Sequence, residues 1–187
     1  MKKIVTHRVK LMSESLEVNG KRVAESVAGE SFLTKLYHIY NMEYPKFFKM
    51  DVLSKVGYIA SEILLATEDE DRFVPRADRA VILFNCNSSL NADRIFQQTI
   101  ADPEDFYPKP SVFVYTLPNI VTGEIAIRNK YHGESNFILL PEKSQEAMEL
   151  AIERAFLDPE TTSVLTGWVE AVSDTEFEAE MELRLRS

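Results

Sequence analysis

The chain has 187 residues, of which 45% are apolar and 27% charged, with a formal net charge of −9 and one cysteine. That length suits one domain able to bury roughly two-thirds of its unfolded surface. The totals exclude an internal disulfide and a cysteine-based metal framework, no apolar run reaches the roughly 20 residues of a bilayer span, and the acidic balance offers no broad positive surface to nucleic acid.

The opening stretch, MKKIVTHRVKLMSESLEV, has basic residues but no continuous apolar core behind them, so it does not read as a secretory signal, and a cytoplasmic location is expected. Ser15–Val18 and Lys21–Ser26 flank Asn19-Gly20, a pair suited to the positive dihedrals of a type I′ turn. The expected hairpin would be an addition, within residues 1–30, to a single domain over 1–187. Phe32, Leu33, Leu36, Tyr37 and Tyr40 recur at helical spacing until Pro45 interrupts them. A second helix is expected from Asp51, as N-cap, to Ala66, with Val52, Val56, Ile59, Ile63 and Leu64 on its apolar side. TEDEDRF then reads as a surface loop.

RAVILFN is an apolar strand bounded by charge, as in a buried parallel sheet. Ser88 or Ser89 can cap the helix after it, with Ile95, Phe96 and Ile100 facing inward. SVFVYT reads as a short strand and Pro118 to Lys130 as a helix. NFILL is the next buried strand, and Pro141 suits the first turn of a helix ending near Phe156. SVLTGWVEAV and FEAEMELRL read as two adjacent strands forming an antiparallel edge. In the second, Phe177, Ala179, Met181, Leu183 and Leu185 alternate with polar residues, as on a half-exposed strand. From Asp158 onward, eight acidic and two basic residues give −6 of the total −9, read as a solvated strand face. Strands alternating with helices imply an α/β fold with a largely parallel sheet.

From about Lys49 to Val172 the sequence resembles the amino-terminal half of a β-ketoacyl synthase, in the thiolase-like superfamily. The resemblance is carried, in order, by KMDVLSKVGYIASEILL, RAVILFNCNSSLNADR, PSVFVYTLPNIVTGEIAIRNKYHGESNFIL and VLTGWVEAV. The chain is similar in particular to short 3-oxoacyl-carrier-protein synthase-like proteins of aryl-polyene and flexirubin-type pathways. This implies half of a thiolase-like fold, a layered mixed sheet with helices. It also implies a thiol nucleophile just after NFILL, where helix N-terminal amides would lower its pKa for attack on an acyl thioester. The equivalent region here is Pro141, Glu142, Lys143 and Ser144, and none is cysteine. Ser144 is the only oxygen nucleophile there, with no identifiable base.

Cys86 is the weaker alternative; in the resembled fold its strand end is expected to lie away from the acyl-transfer site. The histidines His7, His38 and His132 form no recognisable constellation, and this chain has no counterpart to the carboxy-terminal half that carries histidines in condensing enzymes.

The resemblance therefore implies a non-catalytic ketosynthase-like subunit in fatty-acid-like or polyketide biosynthesis. The alternatives are an acyl-transferring synthase with an unrecognised nucleophile, and an acyl-chain-binding or regulatory protein. No cofactor or metal is called for. The expected partner is a second copy or a ketosynthase, met through Asn136, Phe137, Ile138, Leu139 and Leu140. Apolar surface normally covered by a second half should be left open. An acyl-carrier protein could meet Lys46 and Lys49 beside Phe47 and Phe48, with Lys55 and Tyr44 nearby and Arg128 and Lys130 as another basic pair.

Overall fold

A computed structural model describes residues 3–26, 31–68 and 72–186. The centre of the expected acidic loop, Asp69 to Asp71, lies outside the described residues. Its flanks are structural: Glu68 pairs with buried Arg79, and Arg72 with buried Glu62.

Among the described residues seven strands form one mixed sheet: β1 (Lys3–Met12), β2 (Ser15–Val18), β3 (Lys21–Glu25), β4 (Arg79–Asn85), β5 (Ser135–Leu139), β6 (Ser163–Ser173) and β7 (Glu176–Arg186), in the order β3-β2-β1-β7-β6-β4-β5. β4 runs parallel to both β5 and β6, and the remaining pairs are antiparallel. The β2–β3 hairpin turns as expected, with φ of 50° at Asn19 and 78° at Gly20. β1 was not foreseen. It takes the place beside β7, so the last two strands are interior and do not form the edge.

One face of the sheet holds the main core. Helices α1 (Phe32–Ile39), α2 (Val52–Leu65) and α5 (Ile120–Asn129) pack there with Val81, Leu83, Leu165, Val169, Met181 and Leu183. Asp51 caps α2, its side chain accepting from the Ser54 N–H, and Ala66 ends it. Every residue of α2 except Lys55 is buried, so the apolar stripe read in the sequence is one side of a helix enclosed all round.

The other face carries α6 (Gln145–Ala155), whose Met148 and Ile152 join Phe156, Ile82, Phe84, Val164 and Trp168. β4 alternates its side chains between the two cores. That is why RAVILFN is apolar throughout, and all seven of its residues are buried.

Helix α3 (Leu90–Gln98), α4 (Pro110–Phe113) and a 3₁₀ turn (Val114–Thr116) follow β4. SVFVYT is thus helical rather than a strand: Pro110 occupies the first turn, and Val112 and Phe113 donate to Lys109 O. Nor does α3 turn Ile95 inward. Only Ala92 is buried, and Ile95 is exposed.

The turn beyond the sheet and its neighbours

Leu140 leaves β5 with its N–H donating to Asn85 O at 2.9 Å. Pro141 does not open the next helix. Residues 141–143 form an exposed turn, and Ser144 is the N-cap of α6, its Oγ accepting from the Ala147 N–H at 3.3 Å. The serine captures a free helix N–H, and this sets the boundary three residues beyond the proline. Lys143 Nζ lies 2.7 Å from Glu180 Oε2 and over the Trp168 ring, and Glu142 is exposed. No group in the turn is arranged as a nucleophile with a base.

Cys86 stands closer to this turn than expected. Asn85 and Leu139 are register partners on adjacent parallel strands, so Cys86 and the Leu140–Pro141 turn emerge at the same end of the sheet, about one strand spacing apart. Its Sγ is 3.2 Å from Glu170 Oε2, and the same carboxylate accepts from the N–H groups of Cys86 and Asn87. Glu170 thus fastens the β4–α3 turn. Its hydrogen bond, with some help from burial, pushes the Cys86 thiol above its ordinary pKa. A nucleophilic thiol needs the opposite shift.

The histidines remain apart. His7 lies at a register shift in β1, and β1 is three strands from β4, roughly 14 Å across the sheet. His38 is on the exposed side of α1, and His132 is exposed in the turn before β5. Among the described residues no group of three His, Cys, Asp or Glu side chains could hold a metal ion, and no helix is long and apolar enough to cross a membrane.

The basic-aromatic patch is changed by packing. Phe47 is fully buried, stacked on Tyr37 with ring centroids 4.7 Å apart, and cannot meet a partner. Lys46 forms an ion pair with buried Glu124, which also accepts from the Tyr44 hydroxyl at 2.9 Å. Burial and that bond push Tyr44 up to about 12. Arg128 reaches Glu62 and covers the Tyr44 and Phe73 rings. Lys55 is half-buried over Phe47. Lys49 and Phe48 retain exposed surface. Sequence reasoning missed this network because buried Glu62 and Glu124 look like ordinary helical glutamates until α2 and α5 are packed together.

The two sheet edges differ. β3 carries Lys21, Arg22 and Glu25, the charges that deter edge pairing. β5, Ser-Asn-Phe-Ile-Leu, has no charge and no proline. It is an edge rather than the buried strand expected, and Leu139 is 51% exposed.

Exposed apolar residues such as Phe106, Tyr107 and Phe113 lie elsewhere than on the sheet face beyond α6. Beyond α6, the sheet face of β1 and β7 carries Lys10 and Lys143 on Glu180, and Arg8 on Glu182. These pairs surround a cleft of about 400 Å³ floored by Trp168, Gly167 and Thr166. They pair two of the eight carboxy-terminal acidic residues, Glu180 and Glu182, while Asp158, Glu160, Asp174 and Glu176 are exposed.

No protein-family model matches the sequence, and no curated protein gives a significant match. Solved structures do. The ishigamide ketosynthase/chain length factor superposes with a TM-score of 0.73 at 16% identity, over 100% of this chain and 63% of that one. A ketosynthase in complex with its chain length factor from Xenorhabdus doucetiae gives 0.67 at 13% identity, covering 100% and 80%. A β-ketoacyl synthase from Burkholderia phymatum gives 0.58 at 11%, covering 100% and 59%. A thiol-free turn after β5 therefore sits within a thiolase-like α/β fold, the fold of the ketosynthases, carried by a chain spanning 63% of the length of the first of these structures.

Proposed function

We propose that this protein is a non-catalytic ketosynthase-like subunit, pairing with a second chain of the same fold in fatty-acid-like or polyketide biosynthesis of the aryl-polyene type. The observation that carries the reading is the turn itself. Ser144 is occupied as a helix cap, Lys143 is paired with Glu180, and no thiol is present. The uncharged β5 edge supplies the pairing surface, and two of the similar structures are described as a ketosynthase with a chain length factor.

Another similar structure, with a TM-score of 0.63 at 14% identity, is described as a type II polyketide acyl-carrier protein in complex with its ketosynthase. The corresponding carrier contact in this reading uses exposed Lys49 and Phe48, with Lys46 restrained by Glu124.

The test is intact-mass spectrometry after incubation with acetyl, malonyl and longer acyl thioesters, on the protein alone and with a co-expressed ketosynthase. No acyl adduct on this chain is expected. An adduct that is absent from Cys86→Ser would instead establish the acyl-transferring alternative, which the position of Cys86 beside the turn favours.

A further inference from the structure

The cleft beside α6 is built from two rows of side chains that cross the sheet. Strand register aligns Lys10, Glu180 and Trp168 in one row and Arg8, Glu182 and Thr166 in the next. Met148 of α6 closes one side, and the volume, about 400 Å³, falls in the range of small-molecule sites. Buried Trp168 and Met148 make the bottom apolar. Thr166 adds a polar atom there. It lines the cleft and is 1% exposed, and among the described residues its Oγ1 has no hydrogen-bond partner. A buried hydroxyl left unpaired is costly, so a ligand atom that accepts from it gains more than an exposed contact would.

The rim suits an anion. Lys10 and Lys143 approach the two oxygens of one carboxylate, Glu180, at 2.9 and 2.7 Å, so two cations share a single negative charge. Glu182 is likewise shared by Arg8 and Arg184, although Arg184 also holds Glu149. Glu17, which extends the first row beyond Lys10, lies 4.0 Å from Arg22. Both lysines are exposed, each has three N–H donors, and exposed ion pairs contribute little. An incoming carboxylate therefore finds donors to spare at small cost. Lys143 also spans the Trp168 ring, with Nζ 6.0 Å from the centroid. The indole is thus covered on that side by a residue of the exposed turn.

We propose that this cleft binds a small amphipathic carboxylate, held at its charged end by Lys10, Lys143 and the Thr166 hydroxyl, with its apolar part against Met148 and Trp168. The site is independent of the chain pairing proposed above. Trp168 is the protein's only tryptophan, so its emission reports from this cleft. Titrating the full chain with hexanoate should give a saturable change with a Kd of about 1 mM or below, reasonable for so small a ligand. Hexanol lacks the charge and inorganic phosphate the apolar part, and each should bind at least ~10-fold more weakly. Lys10→Met keeps the stem, removes a charged hydrogen bond and should weaken hexanoate at least ~10-fold. Thr166→Val should weaken it about fivefold without lowering stability to urea, because the free protein loses no hydrogen bond.

A flat hexanoate titration, in both the emission and the Trp168 indole N–H resonance, overturns the site. Equal binding of hexanol overturns the carboxylate assignment, and equal binding of phosphate overturns the apolar one. Unchanged affinity in both Lys10→Met and Thr166→Val places the ligand elsewhere and overturns the proposal. Should either variant misfold, intermolecular Overhauser effects between hexanoate and the Met148 methyl of the wild type decide the matter. Their presence supports the cleft, and their absence overturns it.

Discussion

The Leu140 N–H and the Asn85 carbonyl, 2.9 Å apart, make β4 and β5 end level, so the chain's one cysteine is brought beside the turn that lacks a nucleophile. Position alone does not activate it. The Glu170 carboxylate lies 3.2 Å from the Cys86 sulfur, and its hydrogen bond to the thiol, with burial and its charge, opposes formation of a thiolate.

The pH dependence of alkylation follows. The reactive species is the thiolate, and the Cys86 pKa lies above its ordinary value, so the iodoacetamide rate should be low at pH 7 and still rising above pH 9. Glu170→Gln removes the negative charge while keeping an oxygen for the Cys86 and Asn87 N–H groups. The pKa should then fall and the rate at pH 8 should rise several-fold. Identical pH profiles for the two proteins would show that Glu170 does not control the thiol.

Ser144 should matter to stability and not to acyl transfer. Ser144→Ala loses the cap on Ala147 N–H and should cost about 1 kcal/mol, as N-cap deletions do, whereas Ser144→Asp should restore it. Urea denaturation measures the loss, and mass spectrometry should find no acyl group on either protein. A change in acylation without a change in stability would reverse the assignment.

β5 makes a prediction that depends on residue parity. Val81 N–H donates to Glu134 O and Leu140 N–H to Asn85 O, so even-numbered residues of the strand face β4 and odd-numbered ones face the open edge. Asn136→Pro should break the ladder and lower the melting temperature by several degrees. Leu139→Pro removes an outward N–H, so its direct effect falls on chain association. Comparing unfolding by circular dichroism under conditions where both variants are monomeric separates the two effects; equal losses would refute the alternation.

Two glycines should differ in how their replacement can be relieved. A Cβ at Gly57 would lie 2.4 Å from the Val121 Cγ2 methyl, where α2 crosses α5. At Gly167 it would meet the Glu180 carbonyl oxygen at 2.3 Å and Met181 Cα at 2.7 Å. Gly57→Ala should cost roughly 1–3 kcal/mol through overpacking, and Val121→Ala in the same chain should recover part of that. Gly167→Ala strikes backbone, so it should cost more and resist rescue by trimming the Met181 side chain. A double-mutant cycle on unfolding free energies checks both claims.

Much of the fold could be read where one local rule dominates. Asp51 and the capped start of α2, the Asn19-Gly20 hairpin and the doubly buried β4 all follow from signals a few residues long. The misreadings arose where tertiary context decides. NFILL has the composition of an interior strand, yet β4 pairs with only one of its edges. SVFVYT has strand composition, yet Pro110 and the Lys109 carbonyl start a helical turn. β1 was obscured by charges that look like a solvated terminus, although Lys10 and Arg8 are partners for Glu180 and Glu182.

At the site, the missing thiol was visible at once. The Ser144 cap, the nearness of Cys86 and the burial of Phe47 needed strand register and helix packing, which short-range sequence patterns do not encode.

The contrast between the two ends of the sheet also governs how far assembly can proceed. A sheet open at both ends can recruit neighbours indefinitely and grow into a fibre. Here Lys21, Arg22 and Glu25 guard one end, while Ser135–Leu139 leaves the other receptive. Once two receptive ends have met, each is spent on the other, and the outward ends of the joined sheet repel further strands. In a pair formed that way growth would stop at two chains, and a neutral strand that would be hazardous in another setting would become a self-limiting connector.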